Sequence, residues 1–234
     1  MKKLVILFIV FSVFSCNKKE QQHDLTVKVN IEGLKKGTAY LKKANDTTLI
    51  IVDSLVINGN SVFELYSNID SPEIFYLFLD KNNDEERNIP FFASKGITQI
   101  NTTLKNFELD VKIIGSEQQK KLEDFNKIMS QFNGRNLELI KENFEAQRDL
   151  DTTKISIIKT ESDNLLKRKY LYTINFAINN KNSEVAPYLA LSEIYDANVK
   201  WLDTINNSLT PEIKTSKYGK ELQVYIDKIK SAEK

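Results

Sequence analysis

Reactive side chains are few in this chain and stand far apart. Its one cysteine is Cys16 and its one histidine is His23. A lone thiol can form neither an internal disulfide nor a Cys-x-x-Cys redox pair. A lone histidine without neighbouring ligands makes a poor metal centre, and His23 reads as an exposed residue of a polar tether. Serine nucleophiles have no histidine base beyond that tether, which argues against a Ser-His-Asp arrangement. Asp80, Asn82, Asp84 and Glu86 alternate as calcium ligands do. The same frame puts Glu85 where an EF-hand needs glycine and Phe91 where it needs glutamate, so a polar loop between strands is expected. Glu123 and Asp124 read as a solvated helix face, and the seven glycines are too dispersed to cradle a phosphate. The inventory yields no catalytic residue, no metal site and no cofactor. A carboxylate-dependent, glycan-active enzyme stays open as an alternative, and it would need two converging carboxylates with raised pKa values.

Cys16 has a more definite chemistry. Lys2 and Lys3 precede an apolar run, Leu4 to Phe14, broken only by Ser12. About eleven residues fall short of the ~20 that a helix needs to cross a bilayer. A basic start, a short apolar run and small Ser15 describe an export signal. With Cys16 next, the segment resembles a bacterial lipoprotein signal peptide, whose cysteine thiol receives a diacylglyceryl group before cleavage. Val13 and Phe14 depart from the usual lipobox. The expectation is a signal over residues 1–15 and an anchor in the membrane through lipid on Cys16. That places the protein in the cell envelope, at the outer membrane, facing the periplasm or the surface. Two or more acyl chains hold where one binds only marginally.

Asp followed by Ser or Thr and then an aliphatic residue or Thr recurs at Asp46-Thr47-Thr48, Asp53-Ser54-Leu55, Asp151-Thr152-Thr153 and Asp203-Thr204-Ile205. The pattern resembles an O-glycosylation acceptor of some exported Gram-negative proteins, which makes Thr47, Ser54, Thr152 and Thr204 candidate sites. Turn chemistry is the competing explanation, because Asp and Thr gather where the backbone needs local hydrogen bonds. Ser54 is the weakest of the four, since it falls in an expected strand.

The elements that must position these groups follow from composition and period. Of 234 residues, 41% are hydrophobic and 28% charged, enough for a real core. The net charge is +1, and loss of Lys2 and Lys3 leaves 31 basic against 32 acidic residues. A near-neutral chain with arginine only at Arg87, Arg135, Arg148 and Arg168 gives no reason to expect nucleic acid. Residues 16–24 read as a solvated tether. Leu25, Val27, Val29 and Ile31 alternate with polar residues as in a half-buried strand. Further strands are expected at 38–41, 49–57, 61–65, 74–79, 89–93, 97–103 and 107–114. Asn58-Gly59 signals a hairpin between the third and fourth. The apolar run at 74–79 suits a central strand, and Pro90 suits an edge or a strand start. From Ser116 the period becomes helical, with Leu122, Phe125, Met129, Phe132, Leu139 and Ile140 on one stripe. Ser116 caps that helix, and Gly134 threatens its continuity. After a break at 151–153, a second helix carries Ile155, Ile158, Leu165, Tyr172 and Phe176 as the other half of an antiparallel hairpin. Ser183 is the expected cap of a third helix, Trp201 belongs to a fourth, and 217–230 is the last. The fold class is α+β: an N-terminal antiparallel β-sandwich over 25–115 and an all-α helical region over 116–234.

Gly33-Leu34, Gly37-Thr38, Tyr40-Leu41, Asp53-Ser54, Asn58-Gly59, Phe63, Pro72, Tyr76, Phe91-Phe92, Gly96-Ile97 and Ile114-Gly115-Ser116 occur in the order of a known family. On these residues the stretch from Leu25 to about Phe125 resembles domain of unknown function 4369, found in Gram-negative lipoproteins. That domain usually precedes a thioredoxin-like or peroxiredoxin-like domain. Leu209-Thr210-Pro211 and Lys217-Tyr218-Gly219-Lys220 resemble the connector before it. The expectation is that the thioredoxin-like domain is absent here and that no redox residue carries over. The missing catalytic thiols, metal clusters and nucleotide loops favour a non-catalytic binding or scaffold lipoprotein with an envelope protein or glycan as partner. Its alternative is an accessory, the detached front half of a thiol-disulfide interchange system acting with a separate thioredoxin-like protein.

Overall fold

A computed structural model describes residues 23–80 and 87–232. Cys16, the signal segment, most of the tether and Asn82, Asp84 and Glu86 lie outside the described residues. Eight strands run in order: β1 (Leu25–Glu32), β2 (Lys36–Asn45), β3 (Thr48–Asn58), β4 (Val62–Ser67), β5 (Glu73–Asp80), β6 (Arg87–Ala93), β7 (Gly96–Thr103) and β8 (Lys112–Ile114). They form two four-stranded sheets, β4-β1-β7-β8 and β3-β2-β5-β6. Leu25, Val27, Val29 and Ile31 of the first sheet face Ala39, Leu41, Phe75, Leu77 and Phe91 of the second, and this is the sandwich core. The α+β class follows directly: sandwich first, then helices.

The sandwich departs from the sequence expectation in four places. Asn58-Gly59 does not close a hairpin. Gly59 has the expected positive φ of 95°, but its N–H bonds the Lys35 carbonyl. The chain there crosses between sheets, and β4 pairs with β1. The tight hairpin is Asp46-Thr47, between Asn45 and Thr48, with Asp46 at φ 51°. Second, β1 and β7 are parallel, with Leu25 opposite Gly96 and the Gly96 N–H on the Asp24 carbonyl; the other pairings are antiparallel. Third, the last strand shrinks to residues 112–114. Before it, the Asn106 N–H bonds Thr103 and its side-chain amide bonds Asp110, so local polar contacts replace the ladder. Fourth, His23 is not a free tether residue. It is half-buried and stacks on Tyr66 with ring centroids 5.3 Å apart.

Strand β5 is central, as its apolar run requires. One face (Phe75, Leu77) joins the sandwich core and the other (Ile74, Tyr76) meets the helices. Strand β6 is an edge, and its outward positions are closed in turn. The Asn88 N–H donates to Glu108, Pro90 has no N–H, and the Phe92 N–H donates to Gln119 at 2.8 Å.

Six helices follow: α1 (Glu117–Arg148), α2 (Thr152–Asn179), α3 (Val185–Glu193), α4 (Val199–Ser208), α5 (Pro211–Thr215) and α6 (Lys217–Ala232). Ser116 caps α1 by accepting from the Gln119 N–H, and Asp151 caps α2 by accepting from the Lys154 N–H. Helix α1 runs unbroken through Gly134. Its expected stripe is buried at Phe125, Met129 and Leu139, whereas Ile140 stays 44% exposed. Ser183 lies one residue before the start position Glu184, and its hydroxyl bonds Gln118. Short α3 is apolar all round, and Val185, Ala186, Leu189 and Ala190 are fully buried between the other helices and the second sheet. Phe92 meets Tyr188 and Tyr218 edge-on at 5.5 and 5.9 Å, joining strand and helices in one core.

Candidate functional site

A concavity lies where the sandwich meets the helices. Its walls are the tip of the β2–β3 hairpin, the turn before β5, the start of α3 and the α5–α6 corner, and it encloses about 580 Å³. Six acidic side chains (Asp46, Asp70, Glu73, Glu184, Glu212, Glu221) and three lysines (Lys43, Lys217, Lys220) line it. The cleft therefore carries an excess of negative charge.

Glu73 anchors the seam. It is the first residue of β5, next to Pro72, and only 4% exposed. Lys43 of β2 donates to one carboxylate oxygen at 3.0 Å, and Lys217 of α6 donates to the other. The Lys217 ammonium also reaches the Ala44 carbonyl at 3.1 Å, and its backbone N–H bonds Ser71. Tyr218 accepts the Ile74 N–H at 2.9 Å, and burial pushes its hydroxyl pKa well up. One turn of α6 thus ties three sandwich segments together. Glycine at position 219 lets α6 turn tightly out of α5: a Cβ there would lie 1.9 Å from the Ile213 carbonyl oxygen.

The remaining carboxylates behave differently. Glu184 is 8% exposed, and Gln118 donates to it at 2.8 Å. Burial raises its pKa, and Glu212 adds to the rise. Glu221 is raised as well, first by desolvation, then by Glu73 and Asp46, with Lys217 opposing. Among the described residues no group of histidine, cysteine, aspartate or glutamate has metal-binding geometry.

The four acceptor candidates are scattered. Thr47 is exposed in the β2–β3 turn, and Ser54 is exposed in β3. Thr152 opens α2, and Thr204 lies inside α4 with its hydroxyl on the Lys200 carbonyl at 2.7 Å. Only the Thr47 turn adjoins the cleft. Glu73, Lys43, Glu184 and Glu221 were not picked out by sequence reasoning. One signal was available: a carboxylate opening a strand that is apolar on both faces must find a cation.

Residues 25–122 match the family described as Domain of unknown function (DUF4369). The match takes in the whole sandwich and the first turn of α1, including the Gln119 that closes the β6 edge, so this stretch is a domain of that family. No curated protein matches the chain. Among the described residues no helix is long and apolar enough to cross a membrane.

Proposed function

We propose that this chain is a non-catalytic binding module of the cell envelope, lipid-anchored at Cys16, which receives an envelope protein or glycan at the seam cleft. The observation that carries the reading is how the cleft's central groups are used. Glu73, Lys43 and Lys217 bond to one another or to backbone, and so build a rigid wall, while Asp46, Glu212 and Lys220 on the rim are free to meet a ligand. Rigid walls with a polar, adaptable rim suit recognition, since little order has to be gained on binding. The test is affinity capture from membranes of the native host with the parent chain and with Lys220→Glu and Glu212→Lys. One envelope component captured by the parent and lost from both rim variants is the expected result. Equal capture by all three sinks the cleft as the binding site. The anchor has its own test: a globomycin-sensitive mass shift, absent from Cys16→Ser.

One observation favours a second reading, a carboxylate-dependent enzyme acting on glycans. Glu184 and Glu221 both line the cleft with raised pKa values, the condition for a general acid. Turnover of an envelope glycan, lost in Glu184→Gln or Glu221→Gln, would favour it over the binding module.

A further inference from the structure

We propose that the seam cleft seats a primary ammonium group on an aliphatic chain, with Glu184 as its counter-ion. This rests on the binding module at that cleft and names the chemistry of its ligand. Lys43 and Lys217 are both engaged by Glu73. The other charges of the lining are Asp46, Asp70, Glu184, Glu212 and Glu221 against Lys220 alone, and none of these five carboxylates has an ion pair among the described residues. Glu184 is the one that most needs a cation. More than nine-tenths of it is buried. Its Oε2 accepts from the Gln118 amide, and Gln118 is held in turn by the Ser183 hydroxyl. No other residue bonds Oε1. Among the described residues no sealed side-chain oxygen lacks a hydrogen bond, so Oε1 is open, and it opens on the cleft. Glu212 presses on it with like charge, and Lys121 acts only at long range. A buried carboxylate without a counter-ion is costly, and a cation entering the cleft relieves that cost.

The kind of cation follows from the surroundings. A metal ion needs converging oxygens, and among the described residues the acids do not converge into a metal-binding group. A guanidinium is best met by both oxygens of one carboxylate, whereas Gln118 already holds one oxygen of Glu184. A quaternary ammonium calls for aromatic faces, and no aromatic side chain is in the lining. A primary ammonium is a compact charge with three donors, and it can use a single oxygen. Glu212, close enough to act on Glu184, takes a second donor. Ile50 and Pro72 offer the wall an aliphatic stem needs.

The test is isothermal titration calorimetry of the full chain in non-ionic detergent at low ionic strength. The probes are 1,5-diaminopentane and Nα-acetyl-lysine amide, beside the arginine and norleucine amides. Binding of the lysine amide assigns the ammonium to a protein side chain, and binding of the diamine alone assigns it to a free amine. Glu184→Gln keeps the Gln118 bond and should weaken the amine about tenfold or more. Asp163→Asn, an equal change of charge at an exposed position of α2, should leave it unchanged. No amine binding, equal binding by Glu184→Gln, or arginine or norleucine amides that bind as tightly overturns the proposal. An envelope component captured by a chain that binds neither amine leaves the binding module standing and this inference fallen; failure of capture as well fells both.

Discussion

Glu73 meets two ammonium groups at a position almost closed to water, and its removal would strand both lysines beside a strand end. Breaking such a pair costs about 3 kcal/mol, so Glu73→Ala should lower the urea midpoint strongly. Lys220→Ala, on the rim of the same cleft, should stay within about 0.5 kcal/mol of the parent. Glu184 gives the opposite sign. Its folded pKa lies above the ordinary carboxylate value because burial disfavours the charge. The stability it contributes is complete below the unfolded pKa and is lost as pH rises through the folded one. Once ionised, the buried group is therefore a burden. Glu184→Gln keeps the acceptor for Gln118 and removes the charge. The melting midpoint of the variant, relative to the parent, should climb as pH rises above the ordinary carboxylate pKa; a flat difference would refute this. Tyr170 extends the pattern to the surface: its hydroxyl donates to Asp196 at 2.7 Å and its pKa is pushed up to about 12. In an alkaline titration Tyr170 should ionise after an ordinary tyrosine does, and Asp196→Asn should bring it back.

Among the elements, two glycines in helices make a matched comparison. Gly134 lies mid-way in α1 with open space where a Cβ would stand. Gly134→Ala should stabilise the chain by roughly 0.5–1 kcal/mol through helix propensity alone. Gly219→Ala forces a methyl against the Ile213 carbonyl and should destabilise by several times that amount; thermal melts of both variants check the pair. Elements were also where sequence served best. The alternation of Leu25, Val27, Val29 and Ile31, the apolar run at 74–79, Pro90 on an edge and Ser116 before α1 each report a local preference that the fold keeps. Asn58-Gly59 misled because it reports a positive φ, which is local, while the partner of the following strand is decided by the whole sandwich. Phe107 misled because its apolar side chain plugs the core from a turn; its carbonyl accepts from Thr102. The cleft could not be read at all. Glu73 and Lys217 are 144 positions apart, and no periodicity links them.

At the scale of the molecule, Phe92, Ile74 and Tyr218 put sheet and helices into one core, and cooperative unfolding follows. Trp201 fluorescence, which reports on α4, should lose its native signal at the same denaturant concentration as the far-ultraviolet ellipticity. Phe92→Ala should cost about 3–5 kcal/mol, and two separated transitions in that variant would show how much of the coupling runs through one ring. The grip of α6 on the sandwich also sets an order of events during maturation. Lys43 can meet Glu73 early, but its second cation and the acceptor for the Ile74 amide are delivered by residues 217 and 218, so a nascent chain carries a half-paired carboxylate and an idle amide until α6 has been synthesised. Closure over so long a separation in sequence is slow. A polypeptide that waits this long for that clasp can stay open while it is handled by other machinery, and lock once α6 docks.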